Sequence, residues 1–403
     1  FNRAHKAMRI LPFFLIPLLQ LGMPAVVFAQ GSLNPPGGPA PTMKTLQQIE
    51  PRTPISSAPF TISTPGSYYL TQNLTVSSGN VIEIFTGFNA SGVTLDLNGF
   101  TISSTAAPIN GTAILITASR NVTIRNGSIR SGVTRSGGTF SGTGFVNGIY
   151  FSGEVNNVLV SHVSVGGLFG EGIDVGSGDA TTVVESCAVR IVGGSGIAAS
   201  LVSNCIAREC GGTAIFAVNV QNCSATAIGS GDGIHAINVA NSDGASYVGG
   251  SGISAYSAQN CRGFAFAGGT FGGGIGVNAD TVMNCTGYSD VGTGISCDIA
   301  MNCKGTSDGN RAGISANTVS SCYGISATGN GVDAYHVNNC FGISNGSGYG
   351  VYAFVAMDCR GVSGSGGHGV RFEQIGAMCY GFTTGLGSNY VLGGGLAGPV
   401  NLP

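Results

Sequence analysis

Charge is scarce in this chain, and where it gathers, chemistry becomes conceivable. Sixteen Lys and Arg and eighteen Asp and Glu are spread over 403 residues, and they are densest between Asp280 and Arg311. Asp280 and Asp298 stand 18 residues apart, as do Asp290 and Asp308, and 18 is also the step from Cys285 to Cys303. If that step is one turn of a repeat, each pair stacks two carboxylates a few Å apart. Stacked carboxylates repel unless one is protonated or a cation bridges them, and Ca²⁺ is a hard cation that oxygen ligands suit. Lys304 and Arg311 share a turn with Asp308. The plain alternative is four acids at turns that splay into water, where they contribute little.

A second pattern is aromatic and basic. The position just after the cysteine, or after Gly127 and Val163 in the equivalent place, reads Ser128, Ser164, Ala188, Ile206 and Ser224 early, then Arg262, Thr286, Lys304, Tyr323, Phe341, Arg360 and Tyr380. Asp333, Tyr352 and Arg371 occupy an equivalent outward slot elsewhere in the repeat, flanked by Tyr335, Phe354 and Glu373. Cations and aromatic faces at regular spacing on a rigid sheet suit sugar rings and uronic carboxylates, which makes Arg262, Tyr323, Phe341, Tyr352, Arg360, Arg371 and Tyr380 candidate glycan contacts. Cross-strand packing alone would favour the same neighbours.

The elements that must position these residues are set by one recurring phrase. Cys187, Cys205, Cys223, Cys261, Cys285, Cys303, Cys322, Cys340, Cys359 and Cys379 follow one another at 18 to 24 residues once Ser242 is admitted to the series. Phe100, Gly127 and Val163 extend it backwards to fourteen slots. A period near twenty with small insertions predicts stacked rungs, a β-solenoid of about 13 to 14 coils over residues 93–385. Within each coil a Gly-aliphatic phrase, as in Gly233-Ile234 or Gly313-Ile314, is followed two residues on by a small apolar side chain such as Ala236 or Ala316. That is strand alternation, with the intervening residue outside. Gly263, Gly287, Gly305, Gly324 and Gly342, after the cysteine phrase, are expected to permit a sharp bend.

Two columns read as structural. Asn126, Asn204, Asn222, Asn241, Asn260, Asn284, Asn302 and Asn339 precede the cysteine slot, with His162 in the same place, and Asn both tolerates left-handed geometry and can bond to the amide of the next coil. The cysteines would project in parallel about 4.8 Å apart, too far to bridge, and they lack the clustered spacing of a metal site. They are expected to be buried free thiols, with Cys210 and Cys297 outside the column.

Pro65-Gly66-Ser67-Tyr68-Tyr69-Leu70, Leu95-Asp96-Leu97-Asn98-Gly99 and Asn121-Val122-Thr123-Ile124-Arg125-Asn126-Gly127, together with the Asn column, resemble secreted bacterial right-handed parallel β-helix repeat proteins of the pectate-lyase-like superfamily. The resemblance covers residues 50–385 and implies an all-β, single-stranded right-handed parallel β-helix with an N-terminal cap. It also implies a Ca²⁺-dependent polysaccharide lyase as one activity, in which Lys304 or Arg311 would abstract the proton beside a uronate carboxylate. The similar polygalacturonases carry four segments, of which only Gly367-His368-Gly369 is matched here. The superfamily also includes hydrolases, epimerases, adhesins and proteins of unknown role, and a rigid, non-catalytic surface or matrix scaffold that holds polysaccharide is the leading expectation.

Composition narrows the rest. The balance of 16 basic against 18 acidic residues offers no broad phosphate-neutralising face, which excludes a general nucleic-acid binder. Residues 1–29, with Met8-Arg9, an apolar run and Val27-Phe28-Ala29, read as a secretory signal peptide; the run is too short and Pro-broken for a membrane span. Residues 30–50 read as a Pro- and Gly-rich linker, 51–92 as an N-terminal β cap and 386–403 as a C-terminal tail or cap, which sets the mature chain in an extracytoplasmic compartment.

Overall fold

A computed structural model describes residues 51–87, 92–154, 156–178, 181–266, 273–385 and 390–392. The expected signal peptide and linker lie outside the described residues, as does most of the tail. Among the described residues the chain is all strand and turn, and 36 strands hydrogen-bond into one continuous ladder. Every pairing within that ladder is parallel, for example Ile215–Gln221 with Ile234–Ala240 and Ser224–Ala227 with Asp243–Ser246. The fold is a parallel β-helix.

One coil shows why the sequence folds this way. In Ile215–Gln221 the buried residues are Ile215, Ala217 and Val220, and Phe216, Asn219 and Gln221 face solvent. The skip between Ala217 and Val220 is a bend. Asn222 then takes φ 54°, which turns the chain sharply, and Cys223 points inward to open the next strand. All eight column asparagines, with His162, adopt this left-handed conformation at φ between 49° and 60°. The amides also form the expected ladder, with Asn222 Nδ2 donating to Asn204 Oδ1 at 3.3 Å, Asn260 to Asn241 at 3.1 Å and Asn284 to Asn260 at 3.1 Å.

The cysteines are free and the column is buried. They do more than fill space. The Cys205 thiol accepts the Cys187 N–H at 3.4 Å and lies 3.1 Å from the Ser203 carbonyl; the Cys322 thiol accepts the Cys303 N–H at 3.3 Å. Ser242 takes the same role for the Cys223 N–H at 3.0 Å, which explains how a hydroxyl substitutes in this slot. Cys210 is fully buried opposite Val192 and Ala227, an inward position after a local bulge. Burial raises the Cys297 thiol to about 12.

The glycines after the cysteine phrase are not bends. At Gly305 an added Cβ would meet the Gly313 carbonyl oxygen at 2.1 Å, and at Gly342 the Gly350 oxygen at 1.8 Å. These strands pass so close to the turn that follows them in the same coil that a side chain has no room, and the bend is made by Asn instead. Beyond them runs a serine ladder that the sequence did not announce. Ser246, Ser289, Ser307, Ser326, Ser344 and Ser363 are all buried, and Ser289 Oγ and Ser307 Oγ donate to the Gly274 and Gly292 carbonyls at 2.7 Å, tying the turn into the core.

The segment 51–92 contributes strands to the same ladder: Thr53–Ile55 pairs with Gly66–Leu70, which pairs in turn with Val93–Asp96. At the other end Tyr390–Leu392 pairs with Val370–Phe372. Between the early coils, Thr134–Ser136 and Thr139–Ser141 form an antiparallel hairpin.

Candidate functional site

Parallel register turns each outward position into a column, and one pair of columns holds most of the chemistry. On the long strand Tyr150, Asp174, Ala198, Phe216, His235, Ser254, Asn278, Ser296, Ser315, Asp333, Tyr352 and Arg371 are successive neighbours. Three residues before each lies a turn residue: Asn147, Glu171, Ser195, Thr213, Asp232 and onward to Asn330, Tyr349 and His368. Turn side chains cap the next coil. Asn147 Oδ1 accepts the Glu171 N–H at 3.0 Å, Glu171 Oε2 the Ser195 N–H at 2.6 Å, Asp232 Oδ1 the Ser251 N–H at 2.7 Å and Asn330 Oδ1 the Tyr349 N–H at 2.9 Å.

At the N-terminal end of this face the two columns enclose a cavity of about 650 Å³, lined by Phe151, Glu154, Asn156, Glu171, Asp174, Ser195, Thr213 and Phe216 among others. Glu171 and Asp174 share it. Burial pushes the Glu171 carboxyl above the usual carboxylate range; the Ser195 N–H opposes the shift and the charge of Asp174 adds to it. Burial likewise raises Asp174, against a hydrogen bond from the Gly176 N–H at 3.0 Å. Phe216 is 41% exposed and stacks on His235 at 5.2 Å, and His235 Nδ1 meets Asp232 Oδ2 at 3.0 Å. Two partly desolvated carboxyls that share a cavity can give and take a proton, because burial favours the protonated form of each.

Sequence reasoning missed Glu171 and Asp174. The cysteine ruler starts only at Cys187, and the preceding coil holds Val163 in that slot. Counting from the Gly-aliphatic phrase instead, Gly172-Ile173 falls in line with Gly196-Ile197 and places both acids on the outward face.

At the C-terminal end of the same face the structure brings Tyr352 and Arg371 together, as their spacing suggested. Arg371 donates to Tyr349 Oη at 2.8 Å and to Glu373 Oε1 at 3.0 Å, and Tyr352 Oη donates to Glu373 at 3.2 Å. The guanidinium lies 5.4 and 5.6 Å from the Tyr349 and Tyr352 ring centres, and Tyr349 stacks on His368 at 5.5 Å. Asp333 adjoins a polar cavity of about 370 Å³ that Arg311, Asn310, Thr328 and Asn330 also line; burial raises Asp333, against a hydrogen bond from Asn330 at 2.9 Å.

The column after the cysteines is in the expected register from Arg262 through Thr286, Lys304, Tyr323, Phe341 and Arg360 to Tyr380. Its groups are occupied by one another. Tyr323 and Phe341 stack at 5.2 Å with planes 16° apart, Lys304 Nζ lies 5.7 Å from the Tyr323 ring centre, and Arg360 lies 5.2 Å from Phe341 and 5.8 Å from Tyr380. Arg262 is neutralised by Asp243 of the preceding coil, with Nε to Oδ1 at 2.7 Å. Rings stacked along the helix axis turn their faces to each other and their edges outward, so the faces a sugar would need are covered.

The acids between Asp280 and Arg311 divide between separate parts of the coil. Asp280 and Asp298 are adjacent, with the Asp298 N–H bonded to the Asp280 carbonyl at 3.0 Å, and both are exposed. Asp298 Oδ1 accepts the Asn317 amide at 3.0 Å. Asp308 follows the strand Lys304–Ser307 and accepts Tyr288 Oη at 2.6 Å, which raises the Tyr288 phenol to about 12. Asp290 stands one coil before Asp308. Among the described residues no three His, Cys, Asp or Glu side chains group as metal ligands. Two exposed carboxylates fall short of the six to eight oxygens that Ca²⁺ takes. Lys304 leans on Tyr323 and Arg311 rims the Asp333 cavity, so the two cations do not converge on either acid pair.

Among the described residues no helix is long and apolar enough to cross a membrane. No protein-family model and no curated protein matches the chain. Similar solved structures include the enzymatically active domain of bacteriophage CBA120 tailspike protein 2, at 14% identity and TM-score 0.25 over 83% of this chain and 42% of that one. The A-module of the Azotobacter vinelandii mannuronan C-5 epimerase AlgE6 is similar at 11% identity and TM-score 0.25, over 83% of this chain and 91% of that one. The catalytic domain of a GH87 alpha-1,3-glucanase in complex with nigerose follows at 11% identity and TM-score 0.23, over 86% of this chain and 61% of that one. The chain thus spans less than half of the tailspike domain and about three fifths of the glucanase domain.

Proposed function

We propose that this β-helix is an extracytoplasmic carbohydrate-active protein that lays a glycan along the face running from Tyr150 to Arg371 and cleaves it at the cavity of Glu171 and Asp174. The observation that carries this reading is the shared, aromatic-walled cavity in which burial raises both carboxyls. In this reading Glu171, raised by burial and also by the charge of Asp174, delivers its proton to the departing glycosidic oxygen, and Asp174 takes the proton of the attacking water. Asn156, Ser195 and Thr213 supply donors and acceptors for sugar hydroxyls, and Phe151 and Phe216 supply apolar walls. The small side chains of Ser254, Asn278, Ser296 and Ser315 leave a low floor for the chain to continue on.

A second reading, a rigid non-catalytic scaffold that only retains the glycan, is supported by the turn-capping bonds from Ser195 and Gly176 to the same two carboxylates. Incubating the mature chain with neutral and uronate-containing polysaccharides and measuring reducing ends separates the two. Release by wild type that is lost in Glu171→Gln, with the fold retained, is expected. Retention of glycan without any release across the panel would leave the scaffold standing and remove the cleavage reading.

A further inference from the structure

In a chain with so few charges, four guanidinium groups gather on a different face of the early coils. In the strand after the cysteine slot, Arg130, Gly166, Arg190 and Arg208 are successive neighbours in register. Gly166 leaves a gap between Arg130 and Arg190, and there a groove of about 430 Å³ opens, lined by both arginines with Ser131, Ser164 and Gly167. Arg190 is held by Glu209, with Nη2 to Oε1 at 2.7 Å, and Arg135 of the hairpin approaches the same carboxylate at 4.0 Å. Arg130 and Arg208 are exposed and have no hydrogen-bond, ion-pair or ring partner among the described residues.

The backbone beside these residues is strained in a way the later coils are not. Three of these four coils carry one extra residue just after the column, at Gly167, Ile191 and Glu209, with φ of 71°, 57° and 56°. A β-branched Ile and a Glu in the left-handed region carry a steric cost, and strained bulges concentrate where a side chain is re-aimed for function. The next coil, Ser224–Ala227, dispenses with the extra residue, and the pairing shifts register between Ala207 and Cys210 to accommodate it. The hairpin packs beside this column, with Phe140 ring atoms 3.4 and 3.0 Å from where a Cβ on Gly193 or Gly211 would stand.

The geometry points to a second binding site along this column, for the oxyanion groups of an acidic glycan, sulfate ester or carboxylate, with Arg130 lining the groove and Arg208 one rung beyond it, on either side of the Glu209-held Arg190. Guanidinium suits these groups because its planar fork makes paired bonds to two oxygens. Arg130 and Arg190 stand two rungs apart, about 10 Å along the stack, a repeat that an extended charged polymer can match. A single-stranded nucleic acid would need stacking platforms as well, and the Phe140 ring is packed against glycine. The site is independent of the Glu171 cavity.

The test uses the mature chain and four probes in affinity electrophoresis: dextran sulfate, polygalacturonate, neutral dextran and single-stranded DNA. Wild type is expected to retard dextran sulfate, polygalacturonate or both, in a salt-sensitive way, and neutral dextran much less; which of the two binds identifies the oxyanion. Arg130→Gln with Arg208→Gln is expected to weaken that binding on the order of tenfold or more. Arg130→Lys with Arg208→Lys should lose less, and reducing-end release should be unchanged in both. Binding that survives the Gln pair, or a wild type that does not distinguish dextran sulfate and polygalacturonate from neutral dextran, overturns the site. DNA bound as tightly as the acidic glycans overturns the choice of ligand.

Discussion

Ser326 and Ser344 form a natural control for what a buried hydroxyl contributes to this fold. They are register neighbours in the same column and are 0% and 1% exposed. Ser326 Oγ donates to the Arg311 carbonyl at 2.6 Å and accepts the Gly329 N–H at 2.8 Å. Ser344 Oγ has no hydrogen-bond partner among the described residues. Replacing each by Ala removes the same atom from nearly the same surroundings. Ser326→Ala orphans a carbonyl and an N–H at a tight turn, which should cost about 2 kcal/mol. Ser344→Ala removes a hydroxyl that was buried without compensation, so it should be neutral or stabilising by up to about 1 kcal/mol. The expected gap is therefore about 2 to 3 kcal/mol, measured from urea unfolding. Because coils in a solenoid lean chiefly on their neighbours, faster amide exchange at Gly329 in Ser326→Ala should accompany it. Two variants within about 0.5 kcal/mol of each other would refute the claim that these bonds, rather than burial alone, set the column's worth.

Other outcomes follow from the same contacts. Because burial raises Glu171 and Asp174, the folded state prefers them protonated, so their cost is absent below the ordinary carboxylate range and grows as pH rises through the raised values. Glu171→Gln and Asp174→Asn should therefore melt no lower than wild type at pH 8 and lose any advantage near pH 4; the opposite trend in thermal melts would show that the cavity stabilises the charged forms. Tyr323→Ala with Phe341→Ala should cost about 1 kcal/mol of stacking yet leave glycan retention unchanged, since those ring faces are already covered. Phe216→Ala, by contrast, should reduce retention with little change in melting. At Asn222, φ 54° makes Ala cost about 1 to 2 kcal/mol and Gly much less, and equal losses in denaturation would argue that the amide ladder rather than the backbone matters there.

The repeat phrase determined a great deal. The spacing of the cysteines identified the coil, the alternation after Gly-Ile identified what faces inward, and the Asn column identified a left-handed corner, because each of these follows from local backbone geometry repeated at a fixed period. Register followed too, since a stack of near-identical coils can align in only one way without moving apolar residues outside. The sequence could not decide what a side chain in a column does once its neighbours are present. Tyr323 and Phe341 were correctly placed, yet only the tertiary structure turned their faces toward each other. Asp280 and Asp298 were correctly paired, yet only the structure left them in solvent. Gly305 and Gly342 read as bends until the turn that follows each in its own coil was seen to pass within contact of it. Glu171 and Asp174, in a coil without the cysteine, became legible as a pair only when burial and the walls of Phe151 and Phe216 surrounded them. Periodicity is a property of the chain, whereas desolvation, ring orientation and enclosure are properties of the space between coils, and it is there that the candidate site was decided.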